Sequence, residues 1–191
     1  MNTNDELLDD RMENNPYSNT VAHRRYAGFW IRVGAALIDV LVLLPIIAIN
    51  IYNSFVLKSL VLAILMLLIT TVYKPAMEYL YGATVGKMAM KIRVVGTDYE
   101  SISLSSAVLR YSPWLLSNIL TLFTTIMMFT HEEFYDVTGL MELGVIQSEL
   151  GFSSISTILG LLVFVCALAI VFNDKKQGLH DMIAGTYCIE K

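Results

Sequence analysis

Four long apolar runs constrain the fold more than any other feature of this sequence. They cover residues 29–51, 55–77, 108–130 and 155–172. Each approaches the ~20 residues that an α-helix needs to cross a bilayer core of about 30 Å. Strands are a poor alternative, because the runs lack the alternating pattern of barrel strands and helices satisfy their own backbone in lipid. We therefore predict an all-α membrane protein with four transmembrane helices.

The Lys and Arg residues predict how these helices are oriented. With four spans, twelve of the thirteen basic residues fall on one side of the membrane, and only Lys58 falls on the other. The loop of residues 131–149 has five acidic residues and no basic one. Because basic loops stay in the cytoplasm, we expect both termini to be cytoplasmic and the acidic loop to face outward.

The polar, acidic residues 1–25 are predicted to form a flexible N-terminal tail. They lack the basic start and apolar stretch of a signal peptide. The membrane domain is expected to cover residues 26–190. Its two cysteines, Cys166 and Cys188, are expected to pack as free thiols of a reducing compartment.

The segment between the second and third spans is predicted to form a small cytoplasmic β-hairpin. Residues 91–95 alternate charged and apolar side chains, as a half-buried strand does. Residues 96–98 carry a turn signal, and residues 100–104 alternate again. The β-prone residues 186–190 could add a third strand.

Asp39 is the most informative single residue, because it lies about ten residues into the first apolar run. A carboxylate there costs ~2.5–3.5 kcal/mol and is a functional candidate by default. The alternative is a structural aspartate that is protonated or paired with a neighbouring helix. Arg32 lies seven residues earlier, on nearly the same helix face. Its alternative role is that of a snorkelling residue at the interface.

A hairpin of the first two spans predicts partners for both residues. If the turn is centred near Ser54, Arg32 comes close to Glu78 and Asp39 comes close to Lys74. Two ion pairs therefore become possible, Arg32 with Glu78 and Asp39 with Lys74. We predict the first of them, and for Asp39 the alternative cation is Arg32 of the same helix. Neutral oxygens beside Asp39 are expected from Thr70, Thr71 and Asn50. Such a cluster could bind an ion or relay a proton, or it could be a structural core.

Enzymatic chemistry has no support in the sequence. No HExxH or CxxC motif occurs, and the three histidines are scattered. Residues 82–87 have too few residues between their glycines for a phosphate loop. His180 beside Asp181 is more typical of a structural pair. We expect no metal site, no cofactor and no enzymatic activity.

Three sequence blocks nevertheless occur in a characteristic order. The first reads YAGFWIR and then ALID, the second GATVGK and then IRVV, the third QGLHD and then AGT. Together they resemble the RDD family of bacterial membrane proteins, which is named for one arginine and two aspartates. By position, the arginine is Arg32 and the aspartates are Asp39 and Asp181. Glu78 stands where many members have an acid.

The resemblance implies a multi-pass protein of the bacterial inner membrane, and at least one family member is associated with cation/proton antiport. One expected function is a small secondary transporter that exchanges sodium or another monovalent cation for protons. Because four spans leave little room for a pathway, a homo-oligomer is expected. The alternative is a non-transporting scaffold or assembly module that binds partners through its cytoplasmic face. The lipid bilayer is an expected partner, and nucleic acid is not.

Overall fold

A computed structural model describes residues 25–191, so the predicted tail lies almost entirely outside the described residues. Within this part of the chain, seven α-helices and two β-strands occur. They are α1 (Phe29–Tyr52), α2 (Leu60–Tyr81), α3 (Val85–Ala89), β1 (Ile92–Gly96), α4 (Leu104–Thr130), α5 (Leu140–Glu149), α6 (Ser153–Phe172), α7 (Leu179–Ile183) and β2 (Thr186–Glu190). A π-helical turn, Asn53–Leu57, follows α1, and a 3₁₀ turn, Glu132–Asp136, follows α4.

Four of the helices are long and apolar enough to cross a membrane. They are α1 with its π-helical turn, α2, α4 and α6. Large apolar side chains are exposed along all four, which suits helices surrounded by lipid rather than water. The prediction of four membrane-spanning helices is therefore confirmed.

The turn between α1 and α2 is held by Asn53, whose side chain is fully buried. Its Nδ2 donates to the Ser59 carbonyl at 2.9 Å, and its Oδ1 accepts from the Ser59 backbone N–H at 3.0 Å. Ser59 then caps α2 by accepting from the Leu62 N–H at 3.4 Å. Because of this turn, α2 begins at Leu60 and continues to Tyr81, later than the predicted span of residues 55–77.

The sheet differs from the predicted hairpin. β1 pairs antiparallel with β2, so that Ile92 lies opposite Glu190 and Gly96 lies opposite Thr186. The prediction of a C-terminal strand is confirmed. The prediction of a strand at residues 100–104 is wrong.

A helix cap explains that error. Ser103 accepts a hydrogen bond from the Ser106 N–H at 3.1 Å, and α4 begins at the next residue, Leu104. The preceding Ile102 is buried in the apolar core beneath the sheet. A serine followed by an apolar run is a helix-start signal, and here it prevails over a short alternating pattern.

Buried apolar residues form two clusters at opposite ends of the helix bundle. The cluster at the sheet end contains Ala27, Ala35, Ile92, Val94, Ile102, Ala107 and Cys188. The cluster at the other end contains Ala63, Phe129, Phe134, Val137 and Ile146. Tyr26 pairs with Ile189 beside the sheet, so the chain enters and leaves the bundle at the same end.

Candidate functional site

A cavity of about 170 Å³ lies among the helices near the sheet end. α1, α2, α4 and α6 form its walls, and the short helices α3 and α7 each add one side chain. The lining residues are Phe29, Arg32, Val33, Ala36, Asp39, Lys74, Pro75, Glu78, Lys87, Arg110, Tyr111, Trp114, Ala167, Ile170 and His180. Four of the five residues predicted as candidate site residues line this cavity, and the fifth, Asp181, contacts two of its cations.

Arg32 joins the start of α1 to the C-terminal part of the chain. Its Nη1 lies 2.5 Å from Asp181 Oδ2, its Nη2 donates to the Lys176 carbonyl at 2.5 Å, and its Nε donates to the Ala27 carbonyl at 2.9 Å. Asp181 Oδ2 also accepts from the Gly178 N–H at 3.2 Å, at the start of α7. Arg32 and Asp181 are thus directly paired, although 149 residues separate them in sequence.

The ion pairs continue from Asp181 through the interior. Asp181 Oδ1 lies 2.9 Å from Arg110 Nη2, in ion-pair contact but without hydrogen-bond alignment. Arg110 Nε lies 3.1 Å from Glu78 Oε2, and Glu78 Oε1 lies 2.5 Å from Lys87 Nζ. We call these five residues the charge network. Each buried ion in it has at least one partner of opposite sign, as burial requires.

Asp181 and His180 lie outside the membrane-spanning helices and have displaced pKa values. Burial by itself raises the pKa of Asp181, but Arg110, the nearby His180 imidazole with its Nε2 at 3.2 Å and the charge of Arg32 together lower it well below the usual value. Burial lowers the pKa of His180, against the opposing effect of Asp181. At neutral pH Asp181 is therefore ionised and His180 is neutral.

Asp39 is surrounded by neutral donors. Its Oδ1 accepts from the Gly86 N–H at 2.7 Å and from the Tyr73 hydroxyl at 3.0 Å, and its Oδ2 accepts from the Thr84 hydroxyl at 2.6 Å. Among residues 25–191, no Lys or Arg comes within ion-pair distance of this carboxylate. Asp39 is thus the one described carboxylate of the cavity region that lacks a cationic contact.

Gly86 makes this arrangement possible. A Cβ built on Gly86 would lie 2.0 Å from the Ala35 carbonyl oxygen and 2.9 Å from Asp39 Cγ. Only glycine lets the first turn of α3 come so close to α1. Thr84 caps α3 by accepting from the Lys87 N–H at 3.4 Å, while its hydroxyl donates to Asp39.

Lys74 points into the cavity from α2, where it is half-buried. Its ammonium nitrogen lies over the ring of Trp114, 4.5 Å from the centroid. No hydrogen bond or ion pair to the Lys74 ammonium group comes from the described part of the chain. The suggested pair between Asp39 and Lys74 is therefore wrong.

The predicted pair between Arg32 and Glu78 is also wrong. Both residues line the cavity, but Arg32 pairs with Asp181 while Glu78 pairs with Lys87 and Arg110. The expected pairs require that α1 faces α2 directly. In the structure α3 folds back onto α1 and occupies much of that position.

The neutral oxygens expected beside Asp39 lie elsewhere for the same reason. The hydroxyls of Thr70 and Thr71 both donate to the Leu67 carbonyl of their own helix. The Asn50 carbonyl accepts from the Ser54 hydroxyl in the α1–α2 turn. None of the three contributes an oxygen to Asp39.

Sequence reasoning missed several polar and aromatic side chains in or beside the cavity. Arg110 is a cation within an apolar run, which is itself a signal of a functional position. Lys87 and Thr84 belong to the glycine-flanked second block, where the sequence suggests Thr84 as the cap of a short interfacial helix but gives no sign of the contacts with Glu78 and Asp39. No sequence signal identified Tyr73 or Trp114, because their roles depend on packing between helices.

The cavity is unlike sites in which several His, Cys, Asp or Glu side chains hold one metal ion. Among residues 25–191, no three His, Cys, Asp or Glu side chains come together in a metal-binding group. Cations or hydrogen-bond donors within the chain already occupy the carboxylates. What the site offers chemically is one carboxylate without a cation, one ammonium group without an anion, and apolar walls.

Comparison with known proteins gives one match. The model of the RDD family matches residues 26–185. This match includes the charge network and Asp39. No curated protein and no solved structure matches the chain.

Proposed function

Because this chain is an integral membrane protein of the RDD family, we propose that it is a small secondary transporter of the cation/proton antiport type. The observation that carries this proposal is the environment of Asp39. It lines the cavity, and among the described residues it makes hydrogen bonds only with neutral groups. Glu78 and Asp181, in contrast, each have two cationic side chains within 3.1 Å.

This difference matters for exchange chemistry. A proton or metal cation that reaches Glu78 or Asp181 must displace buried arginine or lysine partners, which is costly. At Asp39 it displaces only hydroxyl and amide donors. The hydroxyl oxygens of Tyr73 and Thr84 also carry lone pairs, so after rotating their hydrogens away they can coordinate a hard cation together with Asp39. Oxygen ligands of this kind suit sodium better than soft metals.

The proposed orientation follows from charge. Arg93, Lys175 and Lys191 belong to the sheet end or its neighbouring loops, whereas the loop of residues 131–149 at the opposite end has no Lys or Arg. By the positive-inside tendency, the sheet end faces the cytoplasm of a bacterial inner membrane. A homo-oligomer would supply the walls of a pathway that four helices cannot fully enclose.

Ion flux in liposomes tests the proposal. The purified protein is reconstituted with an internal pH-sensitive dye, and a sodium, lithium or potassium gradient is imposed. We expect cation-driven proton movement in the wild type, background flux in Asp39→Asn and partial recovery in Asp39→Glu. Asp174→Asn is the matched control, because Asp174 is an exposed carboxylate outside the cavity.

Two results would reject antiport at Asp39. One is normal flux in Asp39→Asn, and the other is no flux by the wild type under any of the imposed sodium, lithium or potassium gradients. Circular dichroism and size-exclusion chromatography establish that Asp39→Asn remains folded. Loss of flux through unfolding is thereby distinguished from loss of the exchange group.

A second candidate function is favoured by the same contacts. The three donors to Asp39 fasten α3 to α1, so the aspartate can serve structure alone. In that case the protein is a non-transporting assembly module, and the sheet with α3 and α7 is the face that binds partners. A folded Asp39→Asn variant with unaltered flux, or a wild type without flux, favours this function.

A further inference from the structure

We propose that the cavity binds a phosphate-bearing anion at Lys74, beside the ring of Trp114. The inference goes beyond the proposed transport function and does not depend on it. It rests on the charges of the cavity, on the unused hydrogen-bonding capacity of Lys74 and on the apolar walls.

The charges of the cavity region do not balance. Four cationic side chains face three carboxylates, and His180 is neutral at pH 7. The cations are Arg32, Lys74, Lys87 and Arg110, and the carboxylates are Asp39, Glu78 and Asp181. A surplus positive charge among membrane-spanning helices is costly unless an anion accompanies it.

The surplus is localised at Lys74. Arg32, Lys87 and Arg110 each contact a carboxylate in the charge network, whereas Lys74 contacts the face of Trp114. A bound anion would supply the counter-charge that Lys74 lacks among the described residues.

The Lys74 ammonium group also has unused hydrogen-bond donors. An ammonium group has three N–H donors, and none of them is used by a described residue. Trp114 covers one side of the group at 4.5 Å and leaves the cavity side open. Phosphate oxygens are strong acceptors for such a donor, and lysine binds phosphate as a point charge.

The walls favour an amphiphilic ligand. Val33 and Ala36 of α1 face the cavity together with Ala167 and Ile170 of α6, and these two helices contact each other only sparsely. The Lys74 ammonium group together with these apolar walls suits a phosphate group that carries acyl chains. Basic pockets between membrane helices bind lipid head groups. A phospholipid is therefore the expected source of the phosphate, and free inorganic phosphate is the other.

Trp114 provides a direct assay. The chain has two tryptophans, and the side chain of the other, Trp30, is 80% exposed. In a Trp30→Phe background in nonionic detergent, fluorescence therefore reports on the cavity. The protein is titrated with dihexanoyl phosphatidic acid, with sodium phosphate and with dihexanoylglycerol, which has the acyl chains but no phosphate.

The variants distinguish the effect of losing the Lys74 charge from the effect of unfolding. We expect saturable binding of the phosphatidic acid, weakened at least about tenfold in Lys74→Met and changed by less than about threefold in Lys74→Arg. Lys191→Met is the matched control, because Lys191 is exposed at the sheet end. Thermal unfolding of each variant without ligand establishes that it is folded.

Each outcome decides a point. Tighter binding of phosphatidic acid than of phosphate supports a lipid as the source, and equal binding supports free phosphate at the same site. The proposal is overturned if neither phosphate compound gives a saturable response, if dihexanoylglycerol binds as tightly, or if folded Lys74→Met binds like the wild type. Because the assay measures equilibrium binding without ion gradients, its failure is distinguishable from failure of the antiport proposal.

Discussion

Replacing Asp181 by asparagine tests the charge network most directly. Asp181 is fully buried and contacts Arg32 at 2.5 Å and Arg110 at 2.9 Å. Asn retains a side-chain oxygen that can accept from the Gly178 N–H, so the substitution removes mainly the charge. Removing one partner of a buried ion pair costs about 3–5 kcal/mol. For a chain of this size, that corresponds to a fall of roughly 6–20 °C in the unfolding temperature.

In the assay, the protein is heated in detergent, and the fraction that remains folded at each temperature is measured by size-exclusion chromatography with fluorescence detection. Asp174→Asn is the control, because it removes a carboxylate that is exposed and only seven residues away in sequence. A second substitution, Arg32→Met, should cost less in the Asp181→Asn background than alone, because the arginine has already lost its partner. An unfolding temperature of Asp181→Asn within about 2 °C of the wild type would refute the energetic role of the network.

Acidification should reproduce part of this effect. The pKa of Asp181 is lower in the folded protein than in the unfolded chain, so the unfolded chain binds the proton more readily. The stabilisation from its charge is complete above the ordinary aspartate pKa of about 3.9 and is lost as the pH falls towards the folded pKa. The difference in stability between wild type and Asp181→Asn should therefore be constant near neutrality and shrink below about pH 4.

Two further predictions address α3 and the topology. Gly86→Ala should destabilise the protein by at least about 1–3 kcal/mol, because the added methyl group overlaps the Ala35 carbonyl oxygen. Thermal unfolding measures this loss of stability. An unaltered unfolding temperature would contradict the close approach of α3 to α1. In a background without native cysteines, Thr97→Cys should react with a membrane-impermeant thiol reagent only from the cytoplasmic side and Leu140→Cys only from outside. Labelling of position 97 from outside would disprove the proposed orientation.

The membrane helices could be predicted from the sequence because their signal is local. A helix in lipid satisfies its own backbone, so a run such as residues 155–172 specifies its structure without reference to the rest of the chain. The ends were less predictable. They depend on caps such as Ser103 and on the clamp between Asn53 and Ser59, which compete with patterns only a few residues long.

Several residues of the candidate site could be predicted from the sequence, but their contact partners could not. Arg32, Asp39 and Asp181 stand out because charges are rare in membrane segments or because they match the family blocks. Their partners depend on the return of the C-terminal segment to α1 and on the docking of α3 at Gly86. Both contacts join residues that are far apart in sequence, and the geometry of the α1–α2 hairpin does not predict them. The same limit explains why residues 100–104 were expected as the hairpin partner of β1 and residues 186–190 only as a third strand.

The ion pair between Arg32 and Asp181 also has a consequence for biosynthesis. Arg32 enters the membrane well before residue 181 has left the ribosome, so it must remain hydrated or be shielded by other groups until then, whereas Arg110 already has Glu78 as a partner. The Arg32 side chain therefore cannot reach its final arrangement before residue 181 emerges. Completion of the fold waits for the last helix, α7, and strand β2. A chain that ends before residue 181 leaves Arg32 without its carboxylate partner.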